Sequence, residues 1–215
     1  MKLLNKIPVL VLISLLIALT GCKNKKAGSN EEKNKPDTQK IESKAETPLP
    51  AQVSDLQSEQ ALREAALEGN YDKVVQLIGK NVNVNAIDEE RRTALMFAAF
   101  NGHTNIVQAL LDADAKVDMK DLSGRTALLY ASTGPFPKTV EILLEYGADP
   151  NMIDNEEHFT SLMYAAAEGN MEVVKVLLKN NADPSMTDID GDNAVVFARQ
   201  NGYENIAELI EKKMN

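Results

Sequence analysis

The stock of groups able to do chemistry in this chain is small: two histidines, His103 and His158, and one cysteine, Cys22, among 215 residues. A nucleophile needs a base within hydrogen-bond reach, and a metal needs several N, S or O ligands converging on it. No cluster of His, Cys and carboxylates has such a spacing, and no glycine-rich phosphate loop is present. The paired acids Glu89-Glu90 and Glu156-Glu157 read as solvated loop tips. His103 follows Gly102 in a turn, where a structural role accounts for it. Met119, Met152 and Met186 recur at a fixed interval, and thioethers can bind Cu(I). Side chains a whole interval apart cannot share one ligand sphere, so packing is the better account. The sequence therefore nominates no catalytic residue, no metal ligand and no cofactor, and it describes no enzyme.

What recurs is the interval itself. Ala65, Ala98, Ala131, Ala165 and Ala198 are spaced by 33, 33, 34 and 33 residues, and Asp88, Asp121, Asp154 and Asp188 keep the same step. A fixed period of this size describes a solenoid, in which each unit buries its apolar face only against its neighbours. In the second unit Thr93 is placed to cap a first helix carrying Leu95, Ala98 and Ala99 on one stripe. Asn101-Gly102 ends that helix, and a second runs through Ile106, Val107, Leu110 and Leu111. After it, successive units place Asn81, Asp114, Gly147 and Asn181, the residue types that tolerate a left-handed backbone at a helix C-terminus. The expected fold is all-α: about five helix-turn-helix units with short hairpin tips, over 55–88, 89–121, 122–154, 155–188 and 189–215.

The pattern resembles the ankyrin repeat. TALMFAA from Thr93, TALLYAS from Thr126, TSLMYAA from Thr160 and NAVVFAR from Asn193 stand where that family has Thr-Pro-Leu-His-x-Ala-Ala, and Gly147-Ala148-Asp149-Pro150-Asn151 matches its later Gly-Ala-Asp-x-Asn. The family histidine, which ties neighbouring loops by hydrogen bonds, is here Met96, Leu129, Met163 and Val196. Register between loops is therefore expected to rest more on apolar packing. The resemblance implies a binding module that holds a protein partner along the hairpin tips and inner helices.

Phe97, Tyr130, Tyr164 and Phe197 supply one aromatic per unit, expected to pack on one another and on the hairpins rather than on a partner. The third unit has Gly134-Pro135-Phe136-Pro137 where the second has Asn101-Gly102-His103-Thr104, and the fourth carries a one-residue insertion in Asn155-Glu156-Glu157-His158-Phe159. Irregular loops on a regular scaffold are common recognition sites. The candidate contact residues are Arg91, Arg92, Phe100, Tyr130, Phe136, His158 and Phe159.

The N-terminus is a different kind of segment. Lys2 and Lys6 precede thirteen almost wholly apolar residues, Ile7 to Leu19. That run is short for a membrane span, which takes about 20 residues, and has the layout of a secretory signal. Leu19-Thr20-Gly21-Cys22 resembles the lipobox of bacterial lipoproteins, in which the cysteine is lipidated and becomes the new N-terminus. The expected organisation is a signal peptide over 1–21, a lipidated Cys22 with a polar tether to residue 54, and the repeat domain over 55–215. A flexible tether of this length spans roughly 30 Å. It carries seven lysines against five acids from Lys23 to Ser54, so residues 55–215 hold −9 − 2 − 2 = −13. A domain that negative repels phosphate backbones, which argues against nucleic acid as a partner.

These features predict a non-enzymatic protein of the bacterial cell envelope, lipid-anchored through Cys22 and binding a protein partner, with no small-molecule substrate. Two other roles fit the same residues: an immunity or inhibitor protein neutralising an envelope toxin or enzyme, and a structural envelope scaffold.

Overall fold

The computed structural model describes residues 51–214, with side chains from Asp55 onward. The signal segment, Cys22 and the tether up to residue 50 lie outside the described residues. Among the described residues ten helices follow in pairs: α1 (Ala51–Glu68) with α2 (Tyr71–Ile78), α3 (Ala94–Phe100) with α4 (Thr104–Asp112), α5 (Ala127–Ser132) with α6 (Pro137–Glu145), α7 (Ser161–Ala167) with α8 (Met171–Lys179), and α9 (Ala194–Gln200) with α10 (Glu204–Met214). The described residues form an all-α solenoid of paired helices.

In the second to fifth units the inner helix starts where a side chain can cap it. The Oγ1 atoms of Thr93, Thr126 and Thr160 accept from the N–H of Met96, Leu129 and Met163 at 3.2–3.3 Å, and Asn193 does the same for the fifth unit. The first unit has Gln60 at this position, and α1 runs through it without a break, starting at Ala51, before the expected domain boundary. At the other helix ends, Asn81, Asp114, Gly147 and Asn181 all have φ between 58° and 87°, the left-handed conformation their residue types suggest.

The first helices pack on one another in chain order and the second helices do likewise, so the core is a set of columns. Ala65, Ala98, Ala131, Ala165 and Ala198 form one, and their small size lets neighbouring helices approach closely. Leu62, Leu95, Leu128, Leu162 and Val195 form the next, and Leu77, Leu110, Leu143, Leu177 and Ile210 line the outer helices.

Polar ties between units are also present, and the expectation that register rests on apolar packing needs amending. The Asn85 side chain accepts from Lys116 N at 2.8 Å and donates to Asp114 O at 3.2 Å. Asn151 repeats this with Asp183 N at 2.8 Å and Asn181 O at 3.3 Å, while Asp118 accepts from Asp149 N at 3.3 Å. Each bridge crosses from one unit to the next. Met96 and Met163, at the family histidine position, contribute locally: their sulfurs accept from Thr93 N and Thr160 N at 3.4 Å.

Candidate functional site

The hairpin tips are built by the aspartates that close each unit. Oδ1 of Asp88 accepts from the N–H groups of Glu90 and Arg92 at 3.0 and 2.8 Å, and that of Asp121 accepts from Arg125 N at 2.8 Å. Asp154 receives Glu157 N and Phe159 N, and Asp188 receives Asp190 N and Asp192 N. Consecutive tips are then joined through the backbone: Leu122 N donates to Glu90 O at 3.0 Å, Asn155 N to Ser123 O at 2.8 Å, and Ile189 N to Glu157 O at 3.2 Å. The tips thus form one continuous hydrogen-bonded ridge rather than a series of independent loops.

The other oxygen of Asp121 and of Asp154 meets the aromatic ladder. Oδ2 of Asp121 accepts from the Tyr130 hydroxyl at 2.6 Å, and that of Asp154 from the Tyr164 hydroxyl at 2.7 Å. Burial holds both phenols well above the ordinary tyrosine range, and the adjacent carboxylates push the same way. In the second unit Arg92 occupies this place: it pairs with Asp88 at 2.8 Å and covers the Phe97 ring at 4.9 Å. In the fifth, Phe197 packs edge-on against Phe159 at 4.8 Å and has no hydroxyl to offer. The aromatic ladder is spent on the hairpins: Phe97, Tyr130 and Tyr164 each meet their own tip, and Phe197 meets Phe159 of the preceding one.

The seven candidate contact residues separate into four settings. Arg91 and His158 stand exposed on their tips, both with positive φ, 62° and 60°. Arg92, Phe100 and Tyr130 gather on the inner face, half-buried, with Phe100 edge-on to Tyr130 at 5.9 Å. Phe136 lies at the opposite end of the inner helices, its ring against Gly102 and Gly134. It stands in the register of His103, whose ring lies on Gly69, and of Tyr203, whose ring lies on Gly169, so it acts as a spacer between units. Phe159 is a core residue at 8% exposure, packed on Tyr164 and Phe197. Leu122 and Ile189 were not among the candidates, yet they are 57% and 55% exposed. Their column also contains Glu89 and Asn155, and a column in which aliphatic and polar residues interchange is a signal of surface position.

The tips also carry electrostatics. Arg125 Nη2 pairs with Glu156 Oε2 at 3.0 Å, and Ser123 Oγ donates to Glu156 Oε1 at 3.1 Å, which ties the third tip to the fourth. Arg125 lies beside Tyr164 and Tyr130, with its Nε buried and unpartnered. Among the described residues no three His, Cys, Asp or Glu side chains converge as metal ligands would, and no helix is long and apolar enough to cross a membrane.

Residues 62–154 match a family described as ankyrin repeats (3 copies), and residues 143–198 match one described as ankyrin repeats (many copies). Together these matches cover more than half of the chain. The chain belongs to the ankyrin-repeat family. No curated protein matches it. As an ankyrin-repeat protein it carries a protein–protein interaction module, and members of this family are typically non-enzymatic. In this ankyrin protein the shared residues are consumed by packing, capping and tip construction.

Proposed function

We propose that this is a lipid-anchored protein of the bacterial cell envelope that holds a protein partner along its hairpin tips and inner helices. The observation that carries the reading is the ridge itself: backbone hydrogen bonds fix successive tips, while the exposed side chains on them, Arg91, Leu122, His158 and Ile189, differ from unit to unit. A preordered surface loses little entropy on binding, which favours affinity. Anchoring rests on Leu19-Thr20-Gly21-Cys22 behind a short apolar run. Two or more acyl chains hold a protein stably at a membrane, at about 0.8 kcal/mol per buried methylene.

Two measurements test it. Replacing Cys22 by Ser should move the protein from the membrane fraction to the soluble fraction, and continued sedimentation with membranes would remove the anchor from the reading. A photo-crosslinking residue at position 91, activated in the source cells, should capture one envelope protein in stoichiometric yield. Absence of any specific crosslink from the tips or inner helices would overturn the binding role.

A further inference from the structure

The tips alternate in chemistry along the ridge. The second unit presents Glu89-Glu90-Arg91, the third Leu122-Ser123-Gly124, the fourth Glu156-Glu157-His158, and the fifth Ile189-Asp190-Gly191. Leu122 and Ile189 do not hang from loose loops, because their own N–H groups are bonded to the preceding tip. The fold does not require aliphatics there, since Glu89 and Asn155 fill the same column. Two exposed aliphatic side chains held on a fixed frame are apolar surface that a partner can cover.

Charge selects the partner. Arg92 and Arg125 are engaged by Asp88 and Glu156, while Arg91 stays exposed and offsets one of the acids beside it. The carboxylates of Glu89, Glu90, Glu157 and Asp190 take no hydrogen bond and no ion pair among the described residues, so the ridge keeps the acidic sign of the domain. Such a ridge repels nucleic acid and anionic lipid surfaces, and a simple polyamine would leave Leu122 and Ile189 uncovered. Resting on the protein-binding reading above, we infer that the ridge takes an extended, cationic polypeptide segment whose aliphatic side chains cover Leu122 and Ile189 and whose basic side chains meet Glu89, Glu90, Glu157 and Asp190.

The probe is a fluorescent peptide of alternating Lys and Leu, about ten residues and roughly 33 Å long when extended. Its binding to the full chain carrying Cys22→Ser is followed by anisotropy, beside a Lys/Ser peptide and a Glu/Leu peptide. The Lys/Leu peptide should bind, and the double variant Leu122→Ser/Ile189→Ser should weaken it by about tenfold or more. The triple variant Glu89→Gln/Glu90→Gln/Glu157→Gln should weaken it comparably and flatten its dependence on salt. A charge-matched control away from the tips, Asp72→Asn/Glu145→Gln/Glu208→Gln, should leave binding unchanged. Unfolding curves establish that each variant is folded. Equal binding of the Lys/Ser peptide, equal weakening by the control, or no binding of the Lys/Leu peptide would overturn the inference. Tip variants that still crosslink the natural partner from position 91 would also overturn it while leaving the protein-binding reading intact.

Discussion

Tyr164 donates its hydroxyl to Asp154 Oδ2 at 2.7 Å, and the fifth unit repeats this arrangement without the donor. There Asp188 Oδ2 is buried with no hydrogen-bond partner, and the equivalent ring is Phe197. A buried acceptor left unpaired carries its full desolvation cost. Phe197→Tyr is therefore expected to stabilise the domain by about 1 kcal/mol, and Tyr164→Phe to destabilise it by about 1–3 kcal/mol. Urea unfolding of both variants checks the pair, and opposite signs are required.

The same phenols set an alkaline limit. Burial, reinforced by Asp121 and Asp154, raises Tyr130 and Tyr164 above the ordinary tyrosine value of 10.0 in the folded state. The unfolded chain then loses these protons first, so their contribution is complete below 10.0 and declines as pH rises from there toward the folded values. Stability should fall above that pH, and the decline should be shallower in Tyr130→Phe/Tyr164→Phe, read from urea midpoints across the range.

Asn151 joins the third unit to the fourth by two hydrogen bonds, to Asn181 O and from Asp183 N. Asn151→Ala should cost about 1–2 kcal/mol. Because a solenoid is stabilised unit against unit, the damage should be local. Amide exchange at Asp183 should accelerate more than exchange in the first unit.

Gly102 combines φ of +66° with the Phe136 ring packed on the face where a Cβ would lie. Gly102→Ala should destabilise by about 2–3 kcal/mol, part steric and part conformational. In a Phe136→Ala background the steric share should vanish and the cost of the substitution should fall to about 1–2 kcal/mol. A double-mutant cycle measures the difference.

Arg91 and His158 hold positive φ at a tip position where the third and fifth units have Gly124 and Gly191. Arg91→Gly and His158→Gly should each stabilise the domain by about 1 kcal/mol by relieving that strain. If these side chains serve recognition, the same changes should weaken crosslinking to the partner. A stability gain with partner capture intact would remove both residues from the contact set.

Much of this architecture was legible from the chain alone, for a local reason. The alanine column, the threonine caps and the left-handed positions are demands made by a single unit on its own backbone, and repetition states each demand several times over. Asn81, Asp114, Gly147 and Asn181 illustrate this: three residue types at four positions meet one dihedral requirement, and all four have positive φ.

Exposure is a property of the stack, and the tertiary structure decided it. Phe159 and Leu122 both follow a closing aspartate within a few residues, and both are large and apolar, yet Phe159 lies in the core and Leu122 in solvent. The extra residue in the fourth tip brings Phe159, rather than its neighbour, opposite Asp154, where its N–H and C=O close the hairpin and its ring turns onto Tyr164 and Phe197. Phe136 reads in the sequence as a loop feature, and the stack sets it against Gly102 as a spacer, in register with His103 on Gly69. The period of the sequence determined the fold because each unit's helices answer to residues within that unit. Which side chains remain for a partner depended on what the adjoining units cover, and that is settled only when the units are stacked.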